Sequence, residues 1–332
     1  MNIKGGHVIR RVSWAMLIVI TLAGCSRQSS SVLRLPDYQP DSGEFSVMTY
    51  NLYQYGYEER DQDGQADDLK PLEERQAVID IIAAERPDVL AVQEIGSPDV
   101  YAAFCRDLQD AGLDYPHDEY LRRGRHENNM ALLSRFPILA RQSHTNDTYS
   151  IGEAELHVAR GFIDVDIQVN GQYTFRILVA HLKSKVYHAL GQTEMRRNEA
   201  RLLNKHVRHT LQTRPAMNLM VVGDLNDSFD SAALREVQGK HKRVLFDTRP
   251  RDFAGTVWTC FEHSEDQYNR FDYILVSRNM EPELVESKTH AVIHSHMLKA
   301  SDHRPIVAVF KSRDALPAVD VLVGEDTDEE QE

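Results

Sequence analysis

Five short polar segments, set far apart in a 332-residue chain, carry side chains suited to one reaction. They are Thr49-Tyr50-Asn51, Gln93-Glu94, His181-Leu182, Gly223-Asp224-Leu225-Asn226 and Ser301-Asp302-His303-Arg304-Pro305. Glu94, Asp224 and Asp302 are carboxylates of the kind that hold a hard divalent cation. His181 and His303 can carry charge or move a proton, and Asn51 and Asn226 can hold a water or a phosphate oxygen. Together they suit metal-assisted cleavage of a phosphate ester, in which a cation offsets phosphate charge while a base helps water attack in line.

Taken singly, the residues are less decided. Glu94 closes the apolar run Val89-Leu90-Ala91-Val92, where a carboxylate is costly unless paired or metal-bound. The same residue could instead be favoured by the dipole of a helix starting at Pro98. Asp224 and Asn226, two apart at a strand end, can hold one water between them or form an Asx turn before a helix near Ser231. Asp272 is an acid in the apolar run Phe271-Asp272-Tyr273-Ile274-Leu275 and calls for a partner. Asn51 alone reads as a turn former, and His181 alone as a structural histidine.

The order and wording of the segments resemble the endonuclease/exonuclease/phosphatase superfamily, of DNase I-like fold, over residues 44 to 312. The resemblance implies that Glu94 binds the metal, with Asn51 positioning metal or phosphate and Asp302 as a second carboxylate nearby. It also implies that Asp224 and Asn226 activate water, that Asp272 orients His303 and keeps it cationic, and that His181 binds phosphate or acts as acid or base. Arg160 matches an arginine that contacts substrate phosphate, and Lys183, in His181-Leu182-Lys183-Ser184-Lys185, resembles the wording of secreted bacterial nucleases. The implied cofactor is Mg²⁺ or Mn²⁺. One departure is Tyr53, which stands where some members carry a carboxylate two residues after the asparagine, and which puts a second ligand from that loop in doubt.

The elements that must position these residues follow from hydrophobic period. Glu44–Thr49, Val89–Val92, Asn128–Leu133, Gly161–Val169, Tyr173–Ala180, Leu219–Val222, Val257–Phe261, Phe271–Val276 and Pro305–Phe310 read as strands, with Asn170-Gly171 a hairpin turn. Pro71–Glu85, Pro98–Leu108 and Gln192–Leu211 read as helices. Strands interleaved with helices and hairpins indicate a mixed sheet of the α/β class. The resemblance adds a four-layer α/β sandwich with two central mixed sheets flanked by helices.

Residues 1–25 resemble a bacterial lipoprotein signal, with Lys4, Arg10 and Arg11 before the apolar stretch Trp14–Ala23 and then Leu22-Ala23-Gly24-Cys25. Cys25 would carry the lipid, and Ser26 after it favours the outer membrane. Residues 26–43 read as a flexible tether, 44–312 as the catalytic domain and 313–332 as an acidic disordered tail. The chain has 38 Lys and Arg against 51 Asp and Glu, a formal net charge of −13. That balance weighs against a tight nonspecific nucleic-acid binder but allows a hydrolase with a local basic patch. Arg197, Arg201, Lys205 and Arg208 form a helical stripe that reads as a solvated face. Cys105 and Cys260 read as buried, unpaired thiols. Asp61–Asp68 reads as a mobile acidic loop that lacks the closing Glu of a calcium loop; Ca²⁺ bound there would stabilise the segment beside Asn51.

The sequence therefore reads as a lipid-anchored, monomeric envelope phosphodiesterase without a protein partner, acting on nucleic acid. A sphingomyelinase, an inositol-phosphate phosphatase or another phosphate-ester activity of the superfamily is the nearest rival. A binding lipoprotein that kept the fold without catalysis is the rival of another class, and the complete set of acids and histidines argues against it. No Walker loop, dinucleotide fingerprint or His-Glu-x-x-His spacing is present.

Overall fold

Strands that are apolar on both faces fix the architecture. Along Glu44–Tyr55, Phe45 and Val47 join one buried cluster while Met48, Tyr50 and Leu52 join another, as alternation across a pleated strand requires. In Val89–Ile95 the split is Val89 and Ala91 against Leu90 and Val92. In Asn218–Asp224 it is Met220 and Val222 against Leu219 and Val221. The cluster shared by all three strands lies between two sheets, and each of the others lies between one sheet and its helices. The computed structural model, which describes residues 43–123, 128–240 and 243–315, is thus a four-layer α/β sandwich of two mixed sheets with helices outside.

Helices α1 (Leu72–Glu85) and α2 (Pro98–Asp110) cover the first sheet, contributing Val78, Ile82 and Phe104 to its outer core. Helices α3 (Gln192–Thr213) and α4 (Ala232–Gln238) cover the second through Leu203, Val207 and Leu234. Ser231 caps α4, its side chain accepting from the Leu234 N–H at 3.1 Å, and so closes the loop that carries Asn226.

The two sheets share one plan. The first runs His290–Ala291, Ile306–Lys311, Glu44–Tyr55, Val89–Ile95, Asn129–Ser134, His117–Leu121, and the second Leu245–Asp247, Asp272–Ser277, Asn218–Asp224, Thr174–His181, Phe162–Gln168, Ile138–Arg141. In each, the third and fourth strands are parallel and every other pairing is antiparallel. Helix α1 connects the first parallel pair and α3 the second, so each sheet has one βαβ unit. The carboxyl ends of such units are where α/β folds place ligands.

The strand expected at Val257–Phe261 is shorter and lies outside both sheets. Cys260–Glu262 pairs with Gln267–Asn269, while the Thr259 carbonyl accepts from Arg304 N–H at 2.7 Å and Phe261 N–H donates to the Asp302 carbonyl at 2.8 Å. The segment is extended because it is stitched to the loop of His303. Cys105 and Cys260 are both free, as expected, but Cys105 is only half-buried. The leader, Cys25, most of the tether (26–42) and the tail from 316 lie outside the described residues.

Tyr173, in the core between the sheets, and the buried Glu283 form a pair that is expected to make stability depend on pH. The Tyr173 hydroxyl donates to Glu283 Oε2, and burial, against the hydrogen bonds from Tyr173 and Ala315, pushes the Glu283 carboxyl up to about 7. An unfolded Glu ionises at about 4.3, so between that pH and about 7 the native state binds more protons, and stability falls as pH rises. The chain is expected to lose urea stability across that window, and Glu283→Gln to lose less. Equal slopes for the two proteins would contradict this role.

Candidate active site

The first sheet delivers its residues through a break in the ladder. Pairing between Glu44–Tyr55 and Val89–Ile95 shifts between Asn51 and Tyr55, and Tyr53, Gln54 and Glu94 take φ of 50°, 51° and 61°. Such left-handed backbone costs roughly 1–3 kcal/mol per residue, and here it turns Glu94 off the strand face. The buried Lys70 ammonium donates to the Tyr53 carbonyl at 2.8 Å and pairs with Glu74 at 3.5 Å, holding the irregular turn. Gln54 N–H donates to Glu94 Oε2 at 2.8 Å. Asn51 is buried and donates through Nδ2 to Glu94 Oε1 at 3.2 Å and to Asp224 Oδ2 at 3.0 Å, so it ties the two sheets together at their ends. Its Oδ1 accepts from Tyr53 N–H at 3.0 Å.

The second sheet supplies its residues in register. His181 lies opposite Asp224, and Asp224 opposite Asp272, on adjacent strands. Gly223 has φ +129°, and a Cβ there would meet the Ala180 carbonyl oxygen at 2.0 Å, so glycine alone lets the chain bring Asp224 to this point. Asp224 Oδ1 accepts from Asn226 N–H at 2.8 Å, and Oδ2 from Asn226 Nδ2 at 3.2 Å. His181 Nε2 stands 3.5 Å from Asp224 Oδ2 and 3.8 Å from Glu94 Oε1. His303 Nδ1 meets Asp272 Oδ2 at 2.7 Å, and its Nε2 lies 3.9 Å from Asp224 Oδ2 and 4.0 Å from Asp302 Oδ1. Ser301 fixes the His303 loop by donating to the Asn51 carbonyl at 2.8 Å and accepting from His303 N–H at 3.0 Å.

The two imidazoles are held in opposite states. Burial, with the nearby charges of Arg160 and His303, drives His181 well below the ordinary histidine range, so it is neutral. Burial opposes charge on His303 as well, but the Asp272 carboxylate outweighs it and raises His303 well above that range. Burial also pushes Asp224 up to about 7, against the pull of His303, which suits a proton acceptor at neutral pH. Asp302 is raised by burial and by Glu94, with His303 opposing. Glu94 and Asp302 both line the cleft, and carboxylates are hard oxygen donors of the kind a divalent cation takes.

Residues 48–303 match the model of the Endonuclease/Exonuclease/phosphatase family. The chain belongs to this family. Its members are generally phosphoester hydrolases and typically use divalent metals. Solved structures of the same fold include truncated TDP2 from Caenorhabditis elegans, 20% identical with TM-score 0.56 over 81% of this chain and 98% of that one. The human Nocturnin catalytic domain is 18% identical with TM-score 0.58, over 80% and 94%, and beta toxin from Staphylococcus aureus is 15% identical with TM-score 0.56, over 80% and 99%. No curated protein is matched by the sequence.

Around this family centre the cleft encloses about 390 Å³, and Arg160, Lys185, Glu262 and Phe271 are among its lining residues. Arg160 donates to the Leu182 carbonyl at 3.2 Å, beside His181, while Lys183 points to Ser184 Oγ at 3.3 Å and the Val186 carbonyl at 3.4 Å. Two buried residues of α3 that sequence reasoning did not single out grip this loop. Glu199 accepts from Ala159 N–H at 3.0 Å and Lys183 N–H at 2.6 Å. Arg196 donates to the Lys183 carbonyl at 3.0 Å and pairs with Asp227 at 3.1 Å. The signal available was a pair of opposite charges three apart on the face of α3 that also carries Ala200 and Leu203. Cys260 was missed as well. It bridges to His303 in the backbone, and burial pushes its thiol up to about 11.

Proposed function

We propose that the chain is a divalent-metal-dependent phosphodiesterase that cleaves nucleic acid. The observation that carries this reading is the convergence of His181 Nε2 and His303 Nε2 on Asp224 Oδ2, at 3.5 and 3.9 Å, with Asp272 behind His303 at 2.7 Å. Asp224 takes a proton from the attacking water, and Asn226 fixes the geometry of that carboxylate. The His303 imidazolium, kept charged by Asp272, lies against the phosphate oxygens as negative charge grows, and neutral His181 donates or accepts a hydrogen bond beside it. Glu94 and Asp302 would hold Mg²⁺ or Mn²⁺, with Asn51 orienting Glu94. When bound, the cation supplies charge neutralisation for the phosphate and leaving oxygen. Arg160 and Lys183 supply positive charge for a polyanion.

A second reading has its own observation. Val186 and Tyr187 are 72% and 82% exposed on the loop after Lys185, and such an apolar tip suits a lipid surface. A substrate panel separates the two. Supercoiled DNA and RNA are expected to be cut with Mg²⁺ and spared with EDTA, while turnover of sphingomyelin or inositol phosphates in their place would overturn the nuclease reading and leave the chemistry standing.

We place the protein at the cell envelope, anchored through lipid on Cys25, a reading supported by the sequence of residues 1–25. No helix among the described residues is long and apolar enough to cross a membrane. Cys25→Ala is expected to move the protein from the membrane to the soluble fraction; retention in the membrane fraction would contradict the anchor.

A further inference from the structure

Beside the catalytic cleft lies a second pocket of about 360 Å³ lined by Arg123, Asn128, Asn129, Ala159, Arg160 and Lys183. Arg160 and Asn128 line both it and the cleft, so the two are continuous. Three of its six lining residues are cationic, and none of the three makes an ion pair among the described residues. Arg123 donates to the carbonyls of Thr145 at 3.0 Å and Ala159 at 3.3 Å, and Arg160 and Lys183 likewise meet only a hydroxyl and carbonyls. All three are half-buried. The Glu199 carboxylate attracts Arg160 and Lys183 but forms an ion pair with neither among the described residues. Burial and Arg160 lower the Lys183 ammonium, with Glu199 opposing them. The carboxylate beneath them, Glu199, spends its two oxygens on backbone N–H groups and is itself raised by burial.

The acids are distributed the other way. Glu262 and Glu265 line the catalytic cleft but not the second pocket. Lys185 pairs with Glu262 at 3.7 Å and offsets it, so for a polyanionic chain whose scissile phosphate sits at Asp224 and His303 that side attracts less than the side of Arg160.

We propose that Arg123, with Arg160 and Lys183, forms a second phosphate subsite that takes the phosphate next along the strand from the one being cut. This rests on the nuclease reading and deepens it. The preferred substrate carries consecutive phosphates, and a diester with a single phosphate is a poor one. Arg123, which like Lys183 lines the second pocket and not the cleft, is the specificity-determining residue, because it lies outside the loop that carries His181.

The test compares a dinucleotide with the same dinucleotide bearing a terminal phosphate at its 5′ or its 3′ end, using the full chain with Mg²⁺. One charge-assisted phosphate contact corresponds to a gain of roughly 10- to 100-fold in kcat/KM, carried mainly by KM. The wild type is expected to show that preference for one of the two phosphorylated isomers, and Arg123→Ala to bring the ratio close to one. Arg123→Gln, which keeps a donor towards the Thr145 and Ala159 carbonyls, guards against a folding defect and is expected to lose the preference too. A wild type that cleaves all three substrates equally, or variants that keep the wild-type ratio, would overturn the subsite while leaving the nuclease reading intact. No cleavage of any dinucleotide beside turnover of a lipid or a phosphomonoester would overturn both.

Discussion

Asp224→Ala lowers kcat by roughly two to four orders of magnitude, the range for loss of a positioned general base, with little change in KM. The carboxylate makes no contact assigned to substrate phosphate; its work is to take a proton as water attacks. Its environment is arranged for that task, since burial pushes the group up to about 7 while Asn51 and Asn226 hold both oxygens in place. Removing it leaves the Asn226 N–H without this acceptor, at about 1–3 kcal/mol if it stays buried, while Asn51 Nδ2 keeps Glu94 and Asn226 Nδ2 keeps the Leu182 carbonyl. It also removes a carboxylate that burial disfavours. The two effects oppose each other, so the fold is expected to survive with a melting temperature near that of the wild type. A kcat within tenfold of the wild type would remove Asp224 from the centre of the mechanism.

The second large effect is expected at Asp272, which the mechanism has act only through His303. Asp272→Asn keeps the shape and a hydrogen-bond partner for His303 Nδ1, now 2.7 Å from the carboxylate, but removes the charge that overrides burial. Without it His303 should follow His181 and become neutral. Activity at neutral pH is expected to fall by about 10²–10⁴ through loss of the cation at the phosphate. The side-chain NMR signals of His303 should move from the imidazolium to the neutral form. Threefold or smaller loss of rate with the imidazolium signal retained would show that Asp272 is structural.

Much of this was legible in the sequence because burial on both faces leaves an unbroken apolar run. Val89–Val92, Leu219–Val222 and Phe271–Val276 could be read as strands for that reason, and the polar residues at their ends fall at one edge of both sheets. The endonuclease/exonuclease/phosphatase assignment followed from those ends, and residues 48–303 match that family. Edge strands were not legible. His117–Leu121 is HDEYL, an edge strand with four polar or half-exposed positions before Leu121, and its pairing partner, not its own pattern, makes it a strand. Nor could the sequence show that Glu94 takes a left-handed backbone, since that conformation is imposed by the ladder break at Asn51 and Tyr55. Glu199 and Arg196 sit among charged residues of α3 and look solvated until the loop of Lys183 folds over them. Arg197 and Arg201, by contrast, pair with Glu236 of α4 at 3.1 and 3.4 Å, so part of the basic stripe is already neutralised.

Hydrolysis of a phosphodiester by the chain beginning at Ser26, assayed with Mg²⁺, with EDTA, and with Mg²⁺ restored, decides whether a cation and Asp224 together drive the reaction. Turnover is expected that EDTA abolishes, that added Mg²⁺ recovers, and that Asp224→Ala lacks under every condition. Turnover that persists in EDTA, or that Asp224→Ala retains, would contradict that mechanism.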